Sequence, residues 1–261
     1  MAIQFAEKPG LVIYLTCGDP SPETTRDCAL AAIGAGADVI ELGVPFSDPV
    51  ADGPIIQRSS ERALKNRTGV TEVLRIAREI RARSDAGLVV FTYLNPILRY
   101  GLKDFSKDAA EAGADGVLVT DLPVEEAGDY LPDMKSRGLD TVFLAAPTST
   151  DERLAQIAKV STGFIYAVAR MGVTGTQKTI SADAQDLVKR IRKHTKLPIA
   201  AGFGVSTPEL LTQMGRFADA VVVGSAVMEL VERNPAKAPE VVGQFVRKLL
   251  ANRRAQYGRE L

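Results

Sequence analysis

Glu41 stands at a position where a charged side chain is costly. It lies in the apolar run VIELGVP, which is typical of a strand covered on both faces. Successive side chains of a strand point to opposite faces, so Glu41 shares its face with Val39 and Gly43. A carboxylate on an inward face needs a bonding partner or a chemical role, because burying an isolated charge is unfavourable. The residue is therefore either a general acid or base, or a structural glutamate bonded to nearby backbone.

A second carboxylate, Asp52, follows in the segment VPFSDPVADGP, from Val44 to Pro54. The segment holds three prolines and is too rich in proline for regular structure. Loops that follow strands often carry binding residues, and Asp52 comes just after Pro49, where the chain can fold back over the strand end. A rigid surface turn is the alternative interpretation.

Glycines late in the chain predict an anion site. Gly175 lies in the run RMGVTGTQ, Gly204 ends the run AAGFG, and Gly224 with Ser225 precedes AVMELVER, which predicts a short helix. Glycine lets backbone N–H groups approach an anion closely, and a helix N-terminus adds partial positive charge. These positions favour a phosphate site over a set of simple turns. The long, polar segment 170–182 is a candidate lid, or a surface loop.

The elements that position these residues alternate in type along the whole chain. Segments with helical periodicity, such as Val73, Ile76, Ala77 and Ile80, lie between short apolar runs. Eight such runs predict strands, which begin at Leu11, Asp38, Leu88, Gly116, Asp140, Gly163, Leu197 and Asp219. The alternation predicts an α/β fold, and eight units favour a (β/α)8 TIM barrel that forms a single domain over residues 1–261. In such a barrel the active residues lie at the carboxyl ends of the strands.

Local signals support this arrangement. The phrases GAGADVIEL, EAGADGVLV and FADAVVVGS repeat one design, in which an acidic residue follows a small turn and precedes a strand. Ser21 and Thr207 each precede a proline and predict helix N-caps. Ser149, followed by Glu152, predicts a capping box.

Composition excludes several classes of protein. Lys plus Arg and Asp plus Glu both number 32, so the net charge is zero and no basic block indicates nucleic-acid binding. Two cysteines and one histidine, His194, predict neither a disulfide framework nor a metal site. No apolar run is long enough for a membrane span, and the first residues lack the pattern of a signal peptide. We therefore expect a cytoplasmic protein that binds neither nucleic acid nor membrane.

Aromatic residues lie near several strand ends. Tyr14, Phe91, Tyr93 and Phe203 occupy such positions. They predict either an apolar wall of a binding pocket or ordinary core packing.

The longest motif, ELGVPFSDPVADGP, resembles the signature of tryptophan synthase alpha subunits. TCGDP, NP, TDLPVEE, GVTG, GFG and GS then occur in the order of that family. The similarity covers essentially the whole chain from about Leu11 onward. It implies reversible cleavage of indole-3-glycerol phosphate to indole and glyceraldehyde 3-phosphate, with no metal or organic cofactor.

The resemblance also implies roles for individual residues. Glu41 matches the family's catalytic glutamate and Asp52 its catalytic aspartate. In the expected retro-aldol reaction, Glu41 protonates the indole ring at C3 and accepts the proton of the adjacent hydroxyl, and Asp52 stabilises the charge at the ring nitrogen. The phosphate positions are Gly175, Gly204, Gly224 and Ser225. The substrate pocket comprises Tyr14, Tyr93, Thr120, Tyr166 and Phe203, among which Tyr166 supports the active site.

The implied partner is the beta subunit of tryptophan synthase, in an α2β2 heterotetramer, with the stretch Pro45–Pro49 facing it. Two alternatives remain open: a stand-alone lyase, or a mainly non-catalytic subunit that activates its partner. The motif around Glu41 argues against other phosphate-binding barrels, such as a ribulose-phosphate isomerase. The sequence departs from the family in its short segment before Leu11 and in Thr120 and Met171.

Overall fold

The computed structural model describes residues 3, 5, 7–168 and 182–253. Eight parallel strands form a closed barrel in sequence order, which confirms the predicted (β/α)8 architecture. The strands are β1 (Gly10–Thr16), β2 (Val39–Gly43), β3 (Gly87–Thr92), β4 (Gly116–Val119), β5 (Asp140–Ala145), β6 (Ile165–Val168), β7 (Ile199–Gly202) and β8 (Ala220–Val223).

Helices surround the barrel. They are α1 (Pro22–Gly34), α2 (Pro54–Lys65), α3 (Val70–Arg81), α4 (Leu94–Tyr100), α5 (Leu102–Glu111), α6 (Tyr130–Ser136), α7 (Asp151–Val160), α8 (Ala182–Arg192), α9 (Pro208–Gly215), α10 (Ser225–Arg233) and α11 (Ala238–Leu250). The apolar stripe of α3 is fully buried, as its periodicity predicts. Within the described ranges, no helix combines the length and hydrophobicity that a membrane span requires.

The strands separate two apolar layers. Ile40 and Leu42 of β2 pack outward against the helices, whereas Val39 points into the barrel. The interior layer combines Phe164, just before β6, with small and branched side chains from the other seven strands: Val12, Val39, Val89, Leu118, Val142, Ala200, Ala220 and Val222. Because inward and outward residues alternate, Glu41 must share the interior with Val39.

The repeated acidic residue before a strand has a clear structural role. The Asp38 carboxylate accepts a hydrogen bond from the backbone N–H of Leu11, the second residue of β1 (2.8 Å). Asp115, before β4, does the same for Leu88 of β3 (2.8 Å). Before β8, Asp219 accepts from Ile199 of β7 (3.0 Å). Each side chain thus satisfies a buried backbone donor at the amino end of the neighbouring strand.

The amino-terminal end of the barrel is covered by the segment before β1. Ile3 is buried and joins the interior layer, and its N–H donates to the Asp140 carboxylate at 3.1 Å. The Phe5 ring packs edge-on against Phe164, with 6.1 Å between the ring centroids. These two side chains close the end of the barrel opposite the strand ends that carry Glu41 and Asp52.

Two of the three predicted caps are confirmed. The Ser21 hydroxyl accepts from the Thr24 N–H, and Thr207 accepts from the Leu210 N–H. The capping box at Ser149 is wrong by one residue, since Thr150 is the N-cap of α7. The Ser149 hydroxyl instead accepts from the Ala146 N–H, because the chain turns back at that point.

Candidate active site

Glu41 is completely buried at the carboxyl-terminal half of the barrel interior. It lies in register with Tyr14 of β1 and Val89 of β3. Neither of its carboxyl oxygens has a hydrogen-bond partner among the described residues. Burial raises the pKa of Glu41 from 4.5 to about 8, because the charged form loses its hydration. The side chain is therefore a protonated acid at neutral pH.

Asp52 lies in the segment between β2 and α2 and is held from two sides. The Tyr93 hydroxyl donates to its carboxylate at 3.1 Å and accepts from the Ala51 N–H at 3.0 Å. The Gln57 side chain donates to the Asp52 carbonyl at 2.9 Å. Burial raises the Asp52 pKa from 3.8 to about 6, and the bond from Tyr93 opposes that rise. Asp52 is thus an ionised carboxylate at neutral pH.

The barrel gathers these groups in one place. Burial holds the pKa of Tyr14 well above its usual value, and the nearby carboxyl groups of Asp52 and Glu41, once ionised, raise it further. Burial, Glu41, Tyr14 and Asp52 act in the same direction on the pKa of Tyr166. Both phenols remain protonated donors. The site thus combines one protonated carboxyl, one carboxylate and two phenols in a water-poor interior.

Aromatic rings form an apolar wall beside the two carboxyl groups. The rings of Tyr14 and Phe91 meet edge to face, with centroids 5.1 Å apart. The rings of Phe46 and Tyr93 are 5.0 Å apart and tilted. The sequence analysis does not predict a role for Phe46, although its place in the Pro-rich segment after Glu41 indicates that it lies near the site. Such a wall suits a flat aromatic ligand.

Glycines leave space at the strand ends. A Cβ at Gly43 would lie 2.3 Å from the Tyr14 hydroxyl, and one at Gly202 would lie 2.7 Å from the Tyr166 hydroxyl. Real side chains do not approach so closely, so both tyrosine hydroxyls depend on glycine in a neighbouring strand.

Thr120 follows β4 and is half-buried. Its hydroxyl donates to the Thr92 carbonyl at 3.3 Å, close to Tyr93. Thr120 also lines a recess of about 340 Å³ between the ends of β4 and β5 and helix α7. Leu144 and Arg153 also line this recess. Phe203, by contrast, is buried in the outer apolar layer after β7.

The predicted anion site has a suitable backbone where the structure describes it. Helix α10 begins at Ser225, directly after Gly224, and no side chain of the described residues caps its N-terminus. Its first N–H groups are therefore available to a ligand. Gly204 adopts a φ of 70°, a left-handed conformation that favours glycine. The Cβ position of Gly224 lies 3.4 Å from Tyr14, so this end adjoins the interior site. Gly175 lies outside the described residues.

The comparison with known families agrees with this geometry. The family model described as tryptophan synthase alpha chain matches residues 2–256. The chain belongs to that family. A tryptophan synthase alpha chain of Solibacter usitatus is 53% identical over 231 residues, which cover 88% of this chain and 86% of the relative. One of Methanoregula boonei is 43% identical, over 94% and 92% of the two chains.

Solved structures of the family have the same fold. A mutant alpha subunit of tryptophan synthase from the hyperthermophile Pyrococcus furiosus superposes with a TM-score of 0.88 at 40% identity. A chain of the tryptophan synthase complex from the same organism gives the same values. In both cases the match covers 95% of this chain and 100% of the other.

Proposed function

We propose that this chain is the alpha subunit of a tryptophan synthase and reversibly cleaves indole-3-glycerol phosphate to indole and glyceraldehyde 3-phosphate. The single observation that carries the proposal is the buried Glu41 carboxyl, which has no partner among the described residues and is protonated at neutral pH. A buried, protonated carboxyl group of this kind can act as a general acid. The reaction consists of proton transfers and one carbon–carbon cleavage.

Glu41 acts first as acid and then as base. It delivers its proton to C3 of the indole ring, which leaves a positive charge on the ring. The resulting carboxylate then accepts the proton of the hydroxyl on the adjacent carbon. As the bond between that carbon and the ring breaks, its electron pair returns to the ring and the oxygen becomes the aldehyde carbonyl.

Asp52 stabilises the charged ring. Because it is ionised above about pH 6 and held by Tyr93, it presents a fixed negative charge to the indole N–H. A fixed charge in a poorly hydrated site stabilises a developing positive charge without having to reorient. The apolar wall that includes Tyr14, Phe91 and Tyr93 accommodates the ring itself.

The phosphate binds at the other end of the site. The free N–H groups at the start of α10, with Gly224 and Ser225, and the left-handed turn at Gly204 support this assignment. We extend the assignment to Gly175 on the resemblance of GVTG to the family motif.

The pH dependence of kcat/KM should show an alkaline limb that belongs to Glu41. The free protein needs Glu41 protonated and Asp52 ionised, so we expect kcat/KM to rise near pH 6 and to fall near pH 8. The acid limb also contains the ionisation of the substrate phosphate, which has a pKa of about 6. The alkaline limb is therefore diagnostic. A kcat/KM that still increases beyond pH 9 would exclude Glu41 as the acid.

Gly204→Asn should raise the KM for indole-3-glycerol phosphate by about tenfold, the cost of one lost charge-assisted hydrogen bond, with a smaller change in kcat. Asparagine tolerates the left-handed conformation but places a side chain beside the phosphate. Gly138→Asn is the matched control, because Gly138 has a φ of 68° and open space around it, before β5 at the opposite end of the barrel. Equal KM values for the two variants would show that Gly204 serves only as a turn residue and does not bind the phosphate.

A beta subunit is the proposed partner. Among the described residues, Val50, in the segment after β2, and Leu98, in α4, expose large apolar side chains at the carboxyl end of the barrel. Apolar side chains exposed on one side suit a protein interface. The related chain of the Pyrococcus furiosus complex supports an assembly with beta subunits, which we propose as α2β2. We also propose one domain over residues 1–261 and a cytoplasmic location.

Indole release from indole-3-glycerol phosphate, measured with and without a tryptophan synthase beta subunit, tests the proposal. We expect weak activity alone and a strong increase with the beta subunit. Fast release that is unaffected by the beta subunit would identify a stand-alone lyase. Binding without any release would identify a non-catalytic activating subunit.

A further inference from the structure

The Tyr14 hydroxyl occupies an unusual position in the site. Tyr14 and Glu41 are paired residues of adjacent strands. The Tyr14 ring extends across Gly43, the next inward position of β2 after Glu41, and packs against Phe91 of β3. Its hydroxyl therefore lies directly on the mouth side of Glu41, toward the segment that carries Asp52.

The hydroxyl is held in place by its neighbours. Thr16 donates a hydrogen bond to it at 3.3 Å. Because the Thr16 proton is used in this bond, the Ser59 hydroxyl of α2 donates to Thr16 at 2.6 Å, in place of the Ile56 carbonyl, which lies 2.7 Å from it. The Tyr14 hydroxyl oxygen thus accepts a hydrogen bond from the protein. Among the described residues its own proton has no acceptor, so it is available to a ligand.

The Tyr14 hydroxyl fits at this position because residue 43 is glycine and has no side chain. A Cβ at position 43 would lie 2.3 Å from the Tyr14 hydroxyl oxygen. The Tyr166 hydroxyl also faces the interior, over Gly202, but no hydrogen bond fixes it among the described residues. Of these two hydroxyls, the Tyr14 hydroxyl is the one that is both anchored and adjacent to Glu41 along the sheet, as far as the described residues show.

We propose that the Tyr14 hydroxyl donates a hydrogen bond to the substrate oxygen on the carbon next to the indole ring, the oxygen whose proton Glu41 accepts. This inference rests on the proposed function. As the proton moves to Glu41 and the carbon–carbon bond breaks, negative charge develops on that oxygen before it becomes the aldehyde carbonyl. A preorganised donor stabilises this charge.

Two kinetic variants test the proposal in the full chain. Tyr14→Phe should lower kcat for indole release by roughly 100-fold, the usual effect of removing one donor to an oxyanion, and change KM less. Thr16→Val, which leaves Tyr14 intact but removes its anchor, should lower kcat by a smaller factor. Tyr130→Phe is the matched control, since it removes another buried tyrosine hydroxyl, bonded to the Val117 carbonyl outside the site. It should retain normal kcat.

A binding measurement separates hydrogen bonding from ring packing. In a Glu41→Gln background, adding Tyr14→Phe should weaken binding of indole-3-glycerol phosphate by about 3- to 10-fold, as expected for one hydrogen bond. The affinity for an analogue without the hydroxyl next to the ring should stay the same. Equal losses for both ligands, or normal kcat in Tyr14→Phe, would overturn the role of the hydroxyl while the proposed function stands. Failure of the unmodified chain to release indole, even with a beta subunit, would instead overturn the proposed function.

Discussion

Glu41→Gln is expected to lower kcat for indole release by about 10³-fold or more, because one side chain supplies both proton transfers. Glutamine has nearly the same size but no acidic proton, so the barrel interior keeps its packing. The measurement is single-turnover cleavage of indole-3-glycerol phosphate by the purified variant, together with its affinity for an analogue without the reacting hydroxyl. Affinity should persist while cleavage is lost. Near-normal turnover would remove Glu41 from the mechanism.

The pH dependence of the stability of Glu41→Gln tests independently whether Glu41 is buried and protonated. Below about pH 4.5 the Glu41 carboxyl is protonated in both the folded and the unfolded chain. Between pH 4.5 and 8 the unfolded chain releases this proton while the folded chain keeps it, so the free energy of unfolding falls by about 1.4 kcal/mol per pH unit. Above about pH 8 both states have released the proton, and the stability that the protonated Glu41 carboxyl gave the folded chain at low pH is gone. Glu41→Gln should therefore show a flatter stability profile in this window by urea titration, and an unchanged profile would mean that Glu41 is hydrated.

Asp52→Asn is expected to lower kcat by about 10²- to 10³-fold, a loss of roughly 3–4 kcal/mol of transition-state stabilisation. The asparagine oxygen can still accept the hydrogen bond from Tyr93, so the substitution removes charge and leaves the geometry. The loss should appear in kcat more than in KM, since the positive ring exists only after protonation. Stopped-flow detection of indole would measure it.

The segment that carries Asp52 also offers its control. Asp48 is exposed and accepts a hydrogen bond from the neighbouring Ser47 hydroxyl at 2.6 Å. Asp48→Asn should leave the kcat of the isolated chain unchanged. If Asp48→Asn and Asp52→Asn lowered kcat equally, the effect would come from the whole segment, and the specific charge of Asp52 would have no role.

Much of the fold could be read from one-dimensional patterns. The alternation of short apolar runs with helical stripes predicted all eight strands and the closed barrel, because each pattern is set by backbone geometry within a few residues. The repeated acidic residue was visible in the sequence. Its role was not, since Asp38 bonds Leu11, 27 residues earlier in the chain. The misplaced cap at Ser149 has a similar cause: two adjacent hydroxyl residues compete, and the turn that bonds Ser149 to Ala146 leaves Thr150 as the N-cap.

The sequence by itself determined that Glu41 faces the barrel interior and that glycines lie at the late strand ends, because strand alternation and residue type are local properties. The tertiary structure alone decided the protonation states of Glu41 and Asp52. Those states depend on burial and on partners such as Tyr93, 41 residues beyond Asp52. It also decided that Gly43 admits the Tyr14 hydroxyl next to Glu41. Desolvation and steric fit depend on atoms that meet only when the barrel closes, and no local pattern contains them.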